Sequence, residues 1–317
     1  MSGTISLIIP VKNEAEKLSD CLKAIQSQSL KPSEIIIVDG HSTDDTVSIA
    51  KTFGARVIYE NYGTRAAACQ IGIEASTGDF VAFTDADCIP DTNWLLHLFR
   101  HFNEKAVGVG GKVVNTGNSF WERTINLCLD TLIGSANSVQ GKIFKESKKV
   151  SSISGCNCMY RRKDLLGIGG FNIDLPTAED TDLNKRLSRL GDLIYVPDAT
   201  VYHHHRRGVK AFAKRMLQYG VGRGMTLISG PQLILPIILP IFLILLIIVP
   251  LLSVLLLLLY LIIIALSAIY AGIRTQELKI ATAMPFIYIL EHISYSIGFW
   301  EGFFRRFLHE HKSSQNP

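Results

Sequence analysis

The chain has 317 residues and a formal net charge of +4, too small an excess to argue for nucleic acid, and no stripe of interleaved basic and aromatic residues supports such a partner. Its charges are unevenly placed: from Gly224 to Ile273 there is no Asp, Glu, Lys or Arg, so the chain divides near Gly230. All six cysteines (Cys21, Cys69, Cys88, Cys128, Cys156, Cys158) precede residue 160 at spacings that fit neither a zinc ribbon nor a disulfide framework, and reduced thiols are expected.

Met1 leads through Ser2, Gly3 and Thr4 into a strand-like run with no basic n-region or cleavage site, so no signal peptide is expected and the first part should stay in the cytoplasm. Strands are expected at Ile5–Val11, Glu34–Asp39, Arg56–Glu60, Phe80–Asp85 and Val107–Val114. Amphipathic helices are expected at Glu14–Ser27, Asp44–Phe53, Thr64–Ala75 and Thr92–Phe102. This alternation is the rhythm of an α/β fold, a mostly parallel sheet covered by helices on both faces. In such open sheets ligands bind beyond the carboxyl ends of the strands. Strand one ends in Pro10-Val-Lys-Asn13-Glu14, strand two in Val38-Asp39-Gly40-His-Ser42, strand four in Thr84-Asp85-Ala-Asp87. Carboxylates therefore gather along one rim, where repulsion is costly unless cations or hydrogen-bond donors fill the space. Taken singly, Asn13 and Ser42 also suit helix N-caps and the aspartates solvated loops. The run Gly108-Val-Gly-Gly-Lys112 is no phosphate loop, because no Ser or Thr follows the lysine.

Further on, Glu179, Asp180 and Asp182 crowd an expected helix opening that runs to Leu190, where acidic residues are also favoured by the dipole alone. The histidines 203 to 205 follow an expected strand from Ile194 to Val201, so neighbouring rings point to opposite faces and at most one serves as a ligand. Arg206, Arg207, Lys210, Lys214, Arg215 and Arg223 follow with no acidic residue between them, alternating with Phe212, Met216 and Tyr219. Residues 206–230 read as a basic amphipathic segment lying on an anionic membrane surface, although an ordinary solvated face has the same charge pattern. Leu233 to Tyr270 is almost pure Leu, Ile and Val, and as one helix at ~1.5 Å per residue it would be roughly twice the ~30 Å hydrocarbon thickness. Two transmembrane helices within 231–273 fit better, with the break at Pro250. Ala281 to Phe304 mixes Glu291, His292 and Glu301 with Tyr288, Tyr295 and Trp300. A third crossing would leave Arg305, Arg306 and Lys312 outside, against the positive-inside rule, so 280–317 is expected as a membrane-associated helix and cytoplasmic tail, with Glu291 and His292 facing a lipid headgroup.

The runs Ile8-Ile-Pro-Val-Lys-Asn-Glu14, Glu34-Ile-Ile-Ile-Val-Asp-Gly40 and Phe83-Thr-Asp-Ala-Asp87 resemble the successive signatures of family 2 glycosyltransferases with the GT-A fold, a Rossmann-like mixed, mostly parallel sheet. The resemblance continues through Gly155-Cys-Asn157, Ala178-Glu-Asp180-Thr-Asp182-Leu183, the histidine run and Gln218-Tyr219-Gly220, and makes 1–205 a cytoplasmic catalytic domain. A nucleotide diphosphate leaving group is densely charged, and a hard divalent cation held by carboxylates, Mg²⁺ or Mn²⁺, neutralises it. Asp87 is the expected ligand. The resemblance implies that Asp85 faces the ribose or shares the metal through water, Asp39 hydrogen-bonds the base, and Pro10 and Glu14 line the nucleotide pocket. Family members often place a histidine near the metal or pyrophosphate, and His203 is favoured here, with His205 on its face. Arg65 can offer its guanidinium to a phosphate or the base, though a surface arginine at a helix start has the same signature. Asn157, between two cysteines, and Glu179 are assigned to the sugar pocket.

The acceptor hydroxyl must lose a proton as it attacks the anomeric carbon. Asp180 resembles the second residue of the family's Glu-Asp pair, which implies that it is the base and that the configuration inverts. The expected reaction moves a sugar from a UDP- or GDP-linked donor to a polyprenyl- or dolichyl-linked glycan at the cytoplasmic membrane face. The alternative is a polyprenyl-phosphate hexosyltransferase resembling dolichyl-phosphate mannose synthase. Processive synthases carry Gln-x-x-Arg-Trp, whereas Gln218 is followed by Tyr-Gly-Val-Gly-Arg223 with no tryptophan. A non-catalytic scaffold would have no need of the acidic set.

Overall fold

A computed structural model of the protein describes residues 3–135, 144–204, 208–228 and 230–313. In chain order the elements are β1 (Ile5–Val11), α1 (Ala15–Gln26), β2 (Glu34–Asp39), α2 (Thr46–Thr52), β3 (Arg56–Tyr59), α3 (Arg65–Ala75), β4 (Phe80–Phe83), β5 (Cys88–Pro90), α4 (Trp94–Arg100) and β6 (Ala106–Thr116). Then come α5 (Phe120–Leu129), α6 (Leu132–Ser135), β7 (Lys148–Val150), β8 (Cys158–Arg161), α7 (Arg162–Gly167), α8 (Glu179–Leu187), β9 (Asp192–His204), α9 (Val209–Thr226), α10 (Ile234–Ile248), α11 (Pro250–Thr275) and α12 (Leu278–Ser313). They form two compact units, Met1–Asn115 with Lys142–His205, and Thr116–Gly141 with Arg206–Pro317.

The first unit is built on a mixed sheet of strand order β3-β2-β1-β4-β8-β6-β9-β5, with β7 added on β9. The strands β1 to β4 are mutually parallel, whereas β8 runs antiparallel to both β4 and β6, and β5 and β7 run antiparallel to β9. The apolar runs of β1 and β4 are buried on both faces, which is why they read as continuous rather than alternating hydrophobic stretches. Side chains along β1 separate by the two-residue period of a strand. Ile5, Leu7, Ile9 and Val11 pack with Leu18, Cys21, Leu22 and Ile25 of α1 and with Trp94, Leu95 and Leu98 of α4. Ile8 faces the other layer with Ile36, Val38, Cys69, Ile73, Phe83 and Leu183. The helices thus lie on both faces of the sheet, and the carboxyl ends of β1, β2 and β4 open at one edge.

The second unit is helical. The helix α10, extended back to Pro231, and α11 are each long and apolar enough to cross a membrane, with mean hydropathies of 2.7 and 3.0. Between them Val249 leaves the helical region (φ −136°, ψ 70°), and Pro250 opens α11 at the position where a missing N–H is harmless. The stretch that reads as an interfacial helix behaves differently from expectation. Phe212 and Met216 of α9 are buried with Ile125, Met284 and Tyr288, so these two members of the apolar stripe are covered by protein, while Tyr219 is exposed. The contact with α12 is a close backbone approach: a Cβ at Gly220 would lie 2.1 Å from the Tyr295 carbonyl oxygen, and one at Gly298 2.0 Å from that of Leu217. Lys210 and Lys214 remain exposed, while Arg206 and Arg207 lie outside the described residues. Glu291 and His292 are likewise buried within this unit, and the His292 ring is engaged by the Tyr260 hydroxyl at 2.9 Å and the Ile133 carbonyl at 3.3 Å. They do not present themselves to a headgroup as expected, because the helix turns them toward its neighbours.

Candidate active site

Two loops at the sheet edge are tied together by their own side chains. Asn13 (φ 56°) and His41 (φ 59°) both take the left-handed conformation, which these residue types accept more readily than most. The Asn13 N–H donates to Ser42 Oγ at 2.8 Å, the Thr43 N–H to Asn13 Oδ1 at 2.8 Å, and the Glu14 N–H to Thr46 Oγ1 at 2.8 Å. Asn13 and Ser42 therefore brace the loops instead of capping helices. Pro10, beside Val38 in register, and Glu14, at the start of α1, line this edge. Asp39 is fully buried, accepting the Ser42 N–H at 2.9 Å on Oδ2 and the Ser42 hydroxyl on Oδ1.

Beyond β4 the chain runs through Thr84 and Asp85 and turns at Ala86 and Asp87 before β5. The Asp87 Oδ1 lies 3.1 Å from His203 Nε2, and Lys17 Nζ stands 3.9 Å from Asp87 Oδ2 and 4.0 Å from Glu14 Oε2. Register places the histidine: Cys88 of β5 lies opposite His203 of β9, which is buried, while His204 points out to solvent and His205 lies outside the described residues. The ligand atoms of Asp85, Asp87 and His203 all lie within 4.8 Å of one another. Burial pushes the Glu14 carboxyl above its usual range, Lys17 opposes this, and Asp87, Asp85 and Asp44 push it further. The edge therefore holds more negative charge than its own cations offset, and two carboxylates with an imidazole suit a divalent cation.

Arg65 joins this cluster to the next one. Thr64 caps α3 by accepting the Ala67 N–H at 3.1 Å, which sets Arg65 at the first helical position. Its Nε and Nη2 donate to Asp85 Oδ1 at 3.1 and 2.8 Å, Nη1 to Glu179 Oε1 at 2.9 Å, and Nη2 also to the Gly155 carbonyl at 3.0 Å. The fork expected to meet a phosphate or the base is thus occupied by two carboxylates and a carbonyl, and it is no loose surface arginine either.

At the head of α8, after Ala178 in a left-handed turn (φ 62°), Glu179 and Asp180 have opposite surroundings. Glu179 is buried against Arg65; burial pushes its carboxyl up, Arg65 pulls it down, and Asp180 adds to the rise. Asp180 is half-buried and, among the described residues, is held by amides and a hydroxyl, the Gly155 N–H at 3.2 Å on Oδ2 and Thr181 on Oδ1. Asp182 turns along the helix to Arg186 at 2.8 Å.

Asn157 departs from expectation. Fully buried, it accepts from Trp94 Nε1 at 2.7 Å and donates to the carbonyls of Lys112 at 2.8 Å and Ala199 at 2.9 Å. Its amide is a tie among α4, β6 and β9, with both N–H groups engaged and no face turned to a sugar. Lys17, in contrast, went unnoticed in the sequence; its only signal is the i,i+3 spacing from Glu14.

Similar proteins carry the same elements. A model of the family described as glycosyl transferase family 2 matches residues 6–168. Glycosyltransferase AglE of Haloferax volcanii is 30% identical, the match spanning 69% of this chain and 72% of that one. A dolichyl N-acetyl-alpha-D-glucosaminyl phosphate 3-beta-D-2,3-diacetamido-2,3-dideoxy-beta-D-glucuronosyltransferase of Methanococcus voltae is 26% identical over 94% of this chain and 96% of its own. Among solved structures, the mannosyltransferase PcManGT of Pyrobaculum calidifontis, in complex with GDP-Man and Mn²⁺, superposes with a TM-score of 0.62 at 19% identity, covering 93% of this chain and 87% of that one, a likeness of fold. The motifs at the sheet edge, the mixed sheet that carries them and these matches agree, and the chain belongs to glycosyl transferase family 2, with the GT-A type of fold.

Proposed function

We propose that this glycosyltransferase transfers one sugar, with inversion, from a UDP- or GDP-linked donor to a polyprenyl- or dolichyl-linked glycan at the cytoplasmic face of a membrane that its apolar helices cross. The observation that carries the reading is the placement of Asp85, Asp87 and His203 on the same sheet edge as Asp180, with Arg65 and Gly155 bridging the two sets. The glucuronosyltransferase of Methanococcus voltae, whose name includes a dolichyl-linked phosphate and which this chain matches over nearly its whole length, supports the acceptor class. The GDP-Man and Mn²⁺ bound to the mannosyltransferase support the donor class and the cation.

Asp85, Asp87 and His203 would hold Mg²⁺ or Mn²⁺. Such a cation, when bound, offsets the charge of a nucleotide diphosphate leaving group. Pro10, Glu14 and Asp39 face the nucleotide, with Asp39 offering the lone pairs that Ser42 leaves open. Asp180 takes the proton of the acceptor hydroxyl as that oxygen bonds to the anomeric carbon and the bond from that carbon to the departing phosphate oxygen breaks. Glu179, committed to Arg65, positions rather than transfers a proton. Residues 1–205 are the catalytic part, 231–273 the anchor, and 280–317 a membrane-associated helix on the cytoplasmic leaflet followed by a cytoplasmic tail.

The test is product analysis. The purified full chain with Mn²⁺ is offered UDP- and GDP-sugars and either a lipid-linked oligosaccharide or bare polyprenyl phosphate, and the new linkage is read by NMR. An inverted linkage on the oligosaccharide is expected. Retention of configuration would overturn the single displacement, and transfer to the bare phosphate alone would replace the acceptor assignment by the hexosyltransferase alternative.

A further inference from the structure

His203 belongs to two sets of ligand atoms. Besides Asp85 and Asp87 it stands with Cys88 and Cys156, whose sulfurs and the imidazole all lie within 4.8 Å of one another. The fold explains the grouping. Cys88 and His203 are cross-strand partners of an antiparallel pair, which puts both side chains on one face. Cys156 arrives from the loop before β8, its sulfur 3.3 Å from Ser154 Oγ. Asp87 lies beside the group, its Oδ1 being 3.8 Å from Cys88 Sγ and 3.1 Å from His203 Nε2. Two sulfurs and one imidazole nitrogen make a three-donor set of the kind that suits a thiophilic ion with one position left open, whereas the neighbouring Asp85 and Asp87 oxygens suit a hard one.

We propose that Cys88, Cys156 and His203 form a binding site for a thiophilic divalent cation of the zinc class, and that its occupation excludes a hard cation from Asp85, Asp87 and His203. Binding forms two metal–thiolate bonds and releases two thiol protons to water, with no change of oxidation state. It also withdraws His203 from Asp85 and Asp87, so the ion acts as an inhibitor. The exclusion rests on the reading of the hard-cation site given above; the thiol site stands without it. The two thiols are themselves buried, and the approach is from the side of Asp87, whose side chain is 15% exposed.

The full chain in detergent, titrated with Cd²⁺, should develop a thiolate-to-cadmium charge-transfer band in the ultraviolet that saturates at one ion per chain. The band should weaken by more than about tenfold in apparent affinity in Cys88→Ser and in Cys156→Ser, and persist in Cys69→Ser, whose thiol lies outside the cluster. No band in the unaltered chain, or a band unchanged in the two serine variants, overturns the site. Because a buried serine can disturb folding, a second measurement uses the unaltered chain alone: Mn²⁺ bound to it, followed by electron paramagnetic resonance, should be released by stoichiometric Zn²⁺. Mn²⁺ that stays bound overturns the exclusion. A cadmium band with no Mn²⁺ binding at all supports the thiol site and sinks the hard-cation reading instead.

Discussion

At the sheet edge Glu14, Asp85, Asp87 and Glu179 share two cations, Lys17 and Arg65, and the Glu14 carboxyl is pushed up partly by its acidic neighbours. In the helical unit several polar groups find one another, Tyr260 with His292, Thr131 with Tyr288, and Ser267 with Tyr288, at 2.9 to 3.0 Å, while Glu291 Oε2 is buried with no hydrogen-bond partner among the described residues. The contrast follows from what each region is surrounded by. Helices long and apolar enough to cross a membrane have few outside partners for a buried hydroxyl, so such groups turn to one another and the backbones approach through glycine. A sheet edge that gathers more carboxylates than cations keeps an imbalance, which costs stability until a cation offsets it.

The largest effect expected from breaking this contrast is in the acids. Asp87→Ala should abolish turnover and most metal-dependent donor binding, measured by nucleotide release and by donor titration with and without Mn²⁺, since it removes the carboxylate common to both His203 and the cation site. Asp180→Asn should leave donor affinity within a few-fold while turnover falls by ~10² or more, because only the proton acceptor is lost. Equal loss of donor binding in both variants would show that the two ends of the edge are one binding site and not a binding end and a reacting end.

A smaller effect belongs to the helical unit. Gly298→Val would drive side-chain atoms into the Leu217 carbonyl, 2.0 Å from the position of a Cβ, and should destabilise the protein by about 1–3 kcal/mol. Gly167→Ala, where a Cβ meets nothing within 4 Å, should stay within about 0.5 kcal/mol. Thermal unfolding in detergent compares them. Similar losses in both would mean that the close approach of α9 and α12 carries no special weight.

Smaller again is a pH dependence of metal stabilisation. An acid whose pKa is higher in the folded state costs stability as pH rises from its unfolded value through its folded one, because the native state binds more protons in that window. Glu14 and Glu179 are both of this kind, with an ordinary value of 4.5 at the lower limit of the window. A cation at Asp85 and Asp87 offsets the acidic neighbours that raise Glu14, whereas the Glu179 carboxylate already has Arg65 as its partner. Stabilisation by Mn²⁺ should therefore be slight near pH 4.5 and grow above it, at ~2–4 °C per kcal/mol for a chain of this size class. A shift that does not vary with pH would place the ion away from these carboxylates.

What was legible in the sequence follows the range of the interactions. The strand and helix periods of the first hundred residues give most of the observed elements to within a residue or two, since burial on each face repeats locally, but the three-residue β5 is too short to show a period and was not expected; the expected strand at Phe80–Asp85 stops at Phe83, and Asp85 beyond it meets Arg65. Pro250 marks the break between α10 and α11 for an equally local reason. Arg65 was legible only as a cation at a helix start, because its partner Glu179 lies 114 residues away and no pattern joins them. Asn157 and α9 were misread for the same cause. An asparagine among small polar residues looks like a ligand contact until Trp94, 63 residues earlier, is seen to donate to it, and an amphipathic stripe does not say whether lipid or α12 covers it.

The mildest perturbation concerns the end of the chain and asks on which side of the membrane the helical unit finishes. The 36-residue helix α12 is long enough to cross, but it carries Glu291, His292 and Glu301, and among the described residues only α10, extended to Pro231, and α11 are apolar enough to qualify as spans. With two crossings, Arg274 and Lys279 lie on the same side as the sheet unit, and Arg305, Arg306 and Lys312 join them only if α12 does not cross, as the positive-inside rule prefers. Ser314 lies outside the described residues but follows α12 directly, so a cysteine placed there reports the side on which the helix ends. All six native cysteines are buried, which leaves the background low. In intact cells Ser314→Cys should resist a membrane-impermeant maleimide and react after permeabilisation, with turnover unchanged. Labelling from outside would establish a third crossing, and Glu291, buried with Oε2 unpartnered among the described residues, would then lie within a true span.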